Sequence, residues 1–207
     1  MSDYITLPRP DRDDTMTLAH ALDMRRTVRT FSGAPLTRLA LAQLLWAAAG
    51  KSSQRGHKTT PSAGGQYPLR LYVLPAAVEG IALGLYAYAG AQHALTRCSR
   101  DDLRPALTQA AIGDQPWIGS AASLLIVLAD MQHMTAHFRD QPPQGKRGRR
   151  YAWIETGALA ENVYLQATSL GLGCVLTCGF DDAQLQTALA TPALQPTAVL
   201  CIGQKAR

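Results

Sequence analysis

Residues 151–177 read YAWIETGALAENVYLQATSLGLGCVLT. From Tyr151 to Leu170 the apolar residues fall almost all the way round a helical repeat, so the spacing predicts a long helix lying in the core. Gly171 and Gly173 stand where that helix must end and a strand begin, a sufficient structural reason for both. Their Gly-x-Gly does not open a helix after a strand, so it fails the dinucleotide-binding fingerprint. Cys174–Thr177 is then a strand, and a further helix starts near Asp181.

Working outward, Ser123–Ala129 (SLLIVLA) is a continuous apolar run, the mark of a strand buried on both faces. Leu69–Leu74 and Thr197–Ile202 read as strands, and Gly84–Cys98 as a hairpin turning at residues 89–92. A first helix is expected over Thr15–Val28. Thr37 caps a second, whose stripe is Leu41, Leu44, Leu45, Ala48 and Ala49 and which Gly50 ends. Asp101–Ala111 reads as a helix, while Lys51–Gln66 and Asp130–Arg150 read as polar loops, the latter ending in the basic run GKRGRR. Helices segregate early and strands are joined both by hairpins and by helices. The expected fold is therefore α+β, a single domain over 1–207 with a mixed central β-sheet surrounded by helices. Residues 1–14 are expected to be a flexible or partner-wrapping arm.

The 207 residues are 47% hydrophobic and 17% charged, the balance of a globular protein. No apolar run approaches the roughly 20 residues that cross a bilayer. The polar start MSDYITLPRPDRDD has no signal-like core, so a cytoplasmic protein is expected. Cys98, Cys174, Cys178 and Cys201 lack zinc or disulfide spacing and read as free thiols, none of them essential. The net charge of +5 suits an anionic ligand. Aromatics make up only 6% and are not interleaved with the basic residues, which argues against nucleic acid.

Three stretches carry chemistry. In MRRTVRTF, residues 24–31, Arg25, Arg26 and Arg29 surround Thr27, fitting either a phosphate clamp or a solvated basic turn. In PSAGGQYPL, residues 61–69, two prolines enclose a small, tightly shaped loop. There the backbone of Pro61, Ser62, Ala63 and Gly64 can face a flat ligand and Gln66 adds a side-chain amide; an ordinary turn is the alternative. Thr177, Cys178 and Gly179 close a strand just before a helix, where backbone amides either meet a ligand or simply end the strand. His133 and His137 share a face if their segment is helical, but no third ligand is near in sequence and no metal site is expected. No GxSxG or Cys-His arrangement points to covalent catalysis.

Taken in order, RRTVRTF, PSAGGQYPL, the 151–175 helix and GFDD resemble the nitroreductase superfamily over about residues 25–203. The wording PSAGxxYPL and RYAWIETG is most similar to the branch that contains azoline dehydrogenases. The resemblance implies a homodimer with FMN at the subunit interface and chemistry carried by the flavin, with no catalytic side chain. It assigns Arg25, Arg26, Thr27 and Arg29 to the ribityl phosphate and flavin edge. Pro61–Gly64 line the ring from the partner chain, the Cys178–Gly179 backbone lies near flavin N5, and Lys205 and Arg207 become candidate phosphate partners. The implied activity is hydride transfer from NAD(P)H through FMN to an acceptor such as a nitroaromatic or quinone. The alternative is thiazoline or oxazoline oxidation in a peptide; against it, KRGRRY has Lys146 followed by Arg147 where those enzymes carry a Lys-Tyr pair. A flavin-binding or nucleic-acid-binding module without turnover is the non-enzyme reading. The chain ends at Arg207 without a long C-terminal arm, so less extensive exchange between subunits is expected.

Overall fold

The structure, a computed structural model, describes residues 3–13, 16–53 and 56–206. Seven strands form one sheet: β1 (Tyr4–Thr6), β2 (Leu69–Pro75), β3 (Leu85–Ala89), β4 (Ala94–Ser99), β5 (Ser123–Ala129), β6 (Gly173–Thr177) and β7 (Gln195–Gly203). Their spatial order is β1-β4-β3-β2-β5-β7-β6. Between them run α1 (Leu18–Met24), α2 (Arg38–Ala49), α3 (Arg104–Ala110), α4 (Trp117–Ser120), α5 (Met131–His137), α6 (Arg147–Ser169) and α7 (Asp182–Leu189).

β5 shows why the architecture is layered. All seven of its residues are buried. Leu125, Val127 and Ala129 point into a core shared with Leu41, Leu44 and Leu45 of α2 and Leu159 and Val163 of α6. Leu124, Ile126 and Leu128 point the other way, into a core shared with Leu107 of α3, Ile118 of α4 and Leu185 of α7. A strand that alternates between two cores has no polar face, which is how its sequence reads.

Every strand pairing is antiparallel, which corrects the expectation of a mixed sheet. β5 and β6, joined through helices, do run the same way, but β7 returns between them and pairs with both. The N-terminal segment is also corrected. Instead of a loose or partner-wrapping arm, β1 pairs with β4 of its own chain, Leu7 is buried, and the Asp11 amide donates to Gln43 Oε1 at 2.9 Å.

Thr37 caps α2 as expected, its hydroxyl accepting from the Ala40 amide, and Gly50 follows the helix because a Cβ there would lie 2.3 Å from Trp46 Cδ1. α1 is shorter than its sequence span: the chain turns extended at Arg25. α5 falls inside the stretch expected to be loop, capped by Asp130, whose side chain accepts from the His133 amide, and anchored by buried Met131 and Met134. α6 begins four residues earlier than expected and buries one side against the sheet. Its other side is open, with Trp153 and Ile154 exposed, so apolar residues all round here do not mean enclosure within one chain. Among the described residues no helix is long and apolar enough to cross a membrane.

Candidate functional site

The segment Arg25–Phe31 leaves α1 and lies along β6, the edge strand of the sheet. The Val28 amide donates to the Cys174 carbonyl at 2.9 Å. Thr27 Oγ1 sits 3.4 Å from Tyr164 OH, and that phenol accepts from the Leu176 amide at 2.8 Å. Two glycines make the close approach feasible: a Cβ on Gly173 would come within 2.8 Å of Val28, and one on Gly203 within 2.9 Å of the Phe31 ring. The C-terminal segment closes over the same place. Phe31 bridges Lys205, and the Ser32 amide donates to the Gln204 carbonyl at 2.9 Å. Arg207 lies outside the described residues.

The three arginines face different fates. Arg26 Nη1 donates to the carbonyls of Asp23 and Arg25 at 2.6 and 2.7 Å, closing the end of α1. Arg25 lies over the Tyr164 ring, 5.3 Å from its centre, and 4.0 Å from Glu161. Arg29 lies over Trp117, 5.4 Å from the ring centre, and the Trp117 indole donates to Thr177 Oγ1 at 2.8 Å. The Thr177 hydroxyl is thereby committed to holding Trp117. β6 ends at Thr177, leaving the Cys178 and Gly179 amides beyond the strand, while the Gly179 carbonyl is fixed by the Gln115 side chain at 2.7 Å and the Ile112 amide at 2.9 Å.

The second feature is the loop over Pro61–Tyr67. Ala63–Gly65 make a short 3-10 turn in which Gly64 and Gly65 have φ of +58° and +65°, and Tyr67 follows at +48°. For the two glycines this left-handed region carries no side-chain penalty; for Tyr67 it must be held. Ser62 Oγ holds it, accepting from the Tyr67 amide at 2.8 Å. Gln66 reaches sideways, its Oε1 2.9 Å from His133 Nε2 and its Nε2 donating to the Gly64 carbonyl at 2.9 Å. Between Pro61–Ala63 and the side chains of Tyr151, Ile154, Glu155 and Ala158 on α6 lies a cleft of about 280 Å³. His133 and His137 do share a helical face, with ring centres 6.1 Å apart, and among the described residues no group of three or more His, Cys, Asp or Glu is placed to hold a metal.

α6 measures how far these features stand apart. The loop faces it across the cleft at Glu155, and the arginine segment meets it at Glu161 and Tyr164. At about 1.5 Å per residue, positions 155 and 164 are separated by roughly 13 Å along the axis. The structure thus joins Arg25–Arg29, Thr177–Gly179 and Lys205 into one patch and leaves the Pro61–Gln66 loop at a second place on the same chain. Trp117, Tyr164 and Glu155 were not singled out by sequence. Trp117 opens the four-residue α4, which carries no sequence motif, and the other two are single residues of a long helix whose pattern gives them no distinction.

The chain matches the model of the family described as the nitroreductase family over residues 22–204. It is 36% identical over 205 residues to the Methanocaldococcus jannaschii protein called "Putative nitroreductase MJ1384", covering 99% of each. The crystal structure of "a putative nitroreductase" from Ralstonia eutropha superposes with a TM-score of 0.83 at 33% identity, over 100% of this chain and 91% of that one. A chain of the Escherichia coli microcin synthetase McbBCD complex shares the fold, with a TM-score of 0.74 at 21% identity over 98% of this chain and 78% of that one.

Proposed function

Because the chain belongs to the nitroreductase family, we propose that it binds FMN and passes reducing equivalents from NAD(P)H to an acceptor such as a nitroaromatic or a quinone. The observation that supports this most directly is the run Arg29–Trp117–Thr177. It holds a guanidinium beside the end of β6 with no carboxylate partner among the described residues. An unpaired but positioned guanidinium is a ready partner for phosphate oxygens.

The residues fit the cofactor in two further respects. Lys205 brings a second cation to the Arg29–Phe31 segment, and Gly64 and Gly65 present backbone without side chains, as a planar ring requires. In this reading Arg25, Arg29 and Lys205 hold the phosphate, Thr27 shapes the segment through Tyr164, and Arg26 closes α1. Pro61, Ser62, Ala63, Gly64 and Gln66 reach the ring from a second subunit, and the Cys178 and Gly179 amides face its edge. When bound, FMN supplies the two-electron chemistry, while the protein binds and orients it.

Protein as purified should be yellow and release FMN on denaturation, and NADH or NADPH should bleach it without oxygen. Protein that cannot be loaded with flavin would overturn the proposal. Bleaching only by an azoline-containing peptide would move it to the peptide-oxidising alternative.

A further inference from the structure

Glu155 is only 4% exposed, and its Oε2 is the one carboxylate oxygen among the described residues that is buried without a hydrogen-bond partner. No ion pair reaches it either, since the pairs among the described residues use Asp3, Asp102, Asp140 and Glu161. The Lys58 amino group lies instead over the Tyr67 ring, 4.8 Å from its centre. Leaving a buried carboxyl oxygen unsatisfied is costly, and more so when the group is charged. Native proteins seldom keep such a group without a use for it.

Glu155 lines the cleft of about 280 Å³ between α6 and Pro61–Ala63. The walls of this cleft are largely apolar, with Pro61 and Ala63 on the loop side and Ile154 and Ala158 on the helix. Two other polar groups of the cleft are engaged within the chain. The Tyr151 hydroxyl donates to Gln141 Oε1 at 2.9 Å, and Ser62 Oγ accepts from the Tyr67 amide at 2.8 Å. Glu155 is the one left with an unpartnered oxygen. Sites for drug-sized ligands occupy about 300–1,000 Å³, so this cleft admits a single ring or one edge of a larger ring system. A carboxyl between apolar walls is matched by an N–H donor on a flat apolar body. The donor satisfies the oxygen and the body takes water off the walls.

We propose that this cleft is a subsite for a planar N–H donor of the amidine, amide or imide class, and that Glu155 is the residue that accepts from it. Burial pushes the Glu155 carboxyl above its ordinary value, so a donor that reaches it also favours its charged form. Two sources supply this chemistry. One is the imide N3–H edge of the flavin, because the proposed function lays that ring against the same Pro61–Gly64 loop. The other is an electron acceptor that carries an amide or amidine. The subsite stands without the FMN reading, and only the flavin source rests on it.

The test titrates the flavin-free full chain with benzamidine, benzamide and acetophenone, flat probes of one size that differ in their N–H groups. Binding is followed by NMR. Benzamidine should bind about tenfold or more tightly than acetophenone, which has no hydrogen to give a carboxylate, with benzamide between them. Glu155→Gln should lose most of that preference and keep a urea midpoint at or above the parent's, because it removes a buried ionisable group. Ala158→Leu, which fills the cleft and spares the carboxyl, should exclude all three probes. FMN and N3-methyl-FMN then separate the sources. With the flavin as source, N3-methyl-FMN binds the parent about tenfold more weakly than FMN, Glu155→Gln narrows that gap, and FMN displaces benzamidine. With the acceptor as source, the two flavins bind alike and benzamidine binds the FMN-loaded protein. Equal affinities for benzamidine and acetophenone in the parent would overturn the subsite, as would a preference unchanged in Glu155→Gln. A parent that takes up no flavin would sink the FMN reading alone, and the probe titrations would still decide the subsite.

Discussion

The Arg29 guanidinium lies 5.4 Å from the centre of the Trp117 ring, and Trp117 is fixed in turn by the 2.8 Å bond from its indole nitrogen to Thr177. An arginine stacked on a ring that is itself tied to a strand is preorganised, losing less side-chain freedom when it meets an anion. Truncating a charge-assisted partner in a partly desolvated site costs on the order of 2–4 kcal/mol. Arg29→Ala should therefore bind FMN roughly 30- to 1,000-fold more weakly, at about 1.4 kcal/mol per tenfold. Riboflavin, which lacks the phosphate, should scarcely distinguish the variant from the parent. Trp117→Leu should show a smaller loss of the same kind. Equal FMN titrations for parent and both variants would remove the clamp and send the search for the phosphate site to Arg25 and Lys205.

The cysteines give a chemical prediction. Cys174 and Cys201 are buried, and burial pushes both thiols up, Cys201 to about 12. With both side chains buried and the thiolate disfavoured, alkylation at pH 8 should be negligible until the protein unfolds. Cys98 and Cys178 are exposed and should react, Cys178 slowed because partial burial raises its thiol as well. Counting labels by mass spectrometry in native and denatured protein checks this. Cys178→Ala should keep both flavin and turnover, since its proposed part is played by the backbone; retained flavin with abolished turnover would make the thiol a participant.

How much of this was legible in the sequence differs by element. β5 was legible because the six consecutive apolar residues Leu124–Ala129 admit few other readings, and α2 because Thr37 and Gly50 mark both its ends. α5 was not, because its two buried methionines lie in a polar stretch and its cap is a single aspartate. The direction of the sheet depended on where β7 inserts, a tertiary fact with no local signature. In the site, arginine spacing pointed to the Arg25–Arg29 patch. Its partners Trp117 and Tyr164 come from positions 88 and 135 residues beyond Arg29, numbered 117 and 164, and are chosen only by folding.

Acid should reveal one local anchor. Arg104 forks onto Asp102, with Nη2 at 2.7 Å from Oδ2 and Nε at 2.9 Å from Oδ1, at the entry to α3. These hydrogen bonds hold the Asp102 carboxyl below its ordinary value despite partial burial. A lowered carboxyl contributes stability that is present above its unfolded value and lost as pH falls through the folded one. The pair is partly exposed, so its worth is at most about 1 kcal/mol. Arg104→Ala should lower the urea midpoint at pH 7 and converge with the parent in strong acid. Parallel curves at all pH values would show that the pair contributes packing rather than charge.

The last prediction concerns the open side of α6. Ile154 is 63% exposed, Trp153 43%, and on α1, which packs against α6, Leu18 and Leu22 are 65% and 53% exposed. Large apolar side chains gathered on one face, beside a cleft of about 510 Å³ lined by Leu18, Trp46 and Leu165, suit a surface that another subunit covers. A second copy seated there offers a way to meet the 13 Å problem posed by α6, because its Pro61–Gln66 loop can approach the Arg29 patch of the first. Dimer formation and flavin binding should then fail together. Leu22→Glu combined with Ile154→Glu should sediment as a monomer and purify colourless. Gln109→Glu, on α3 across the sheet, should remain a yellow dimer. A flavin-loaded monomer would show that one chain builds the whole site, and a persistent dimer in the double variant would place the interface elsewhere.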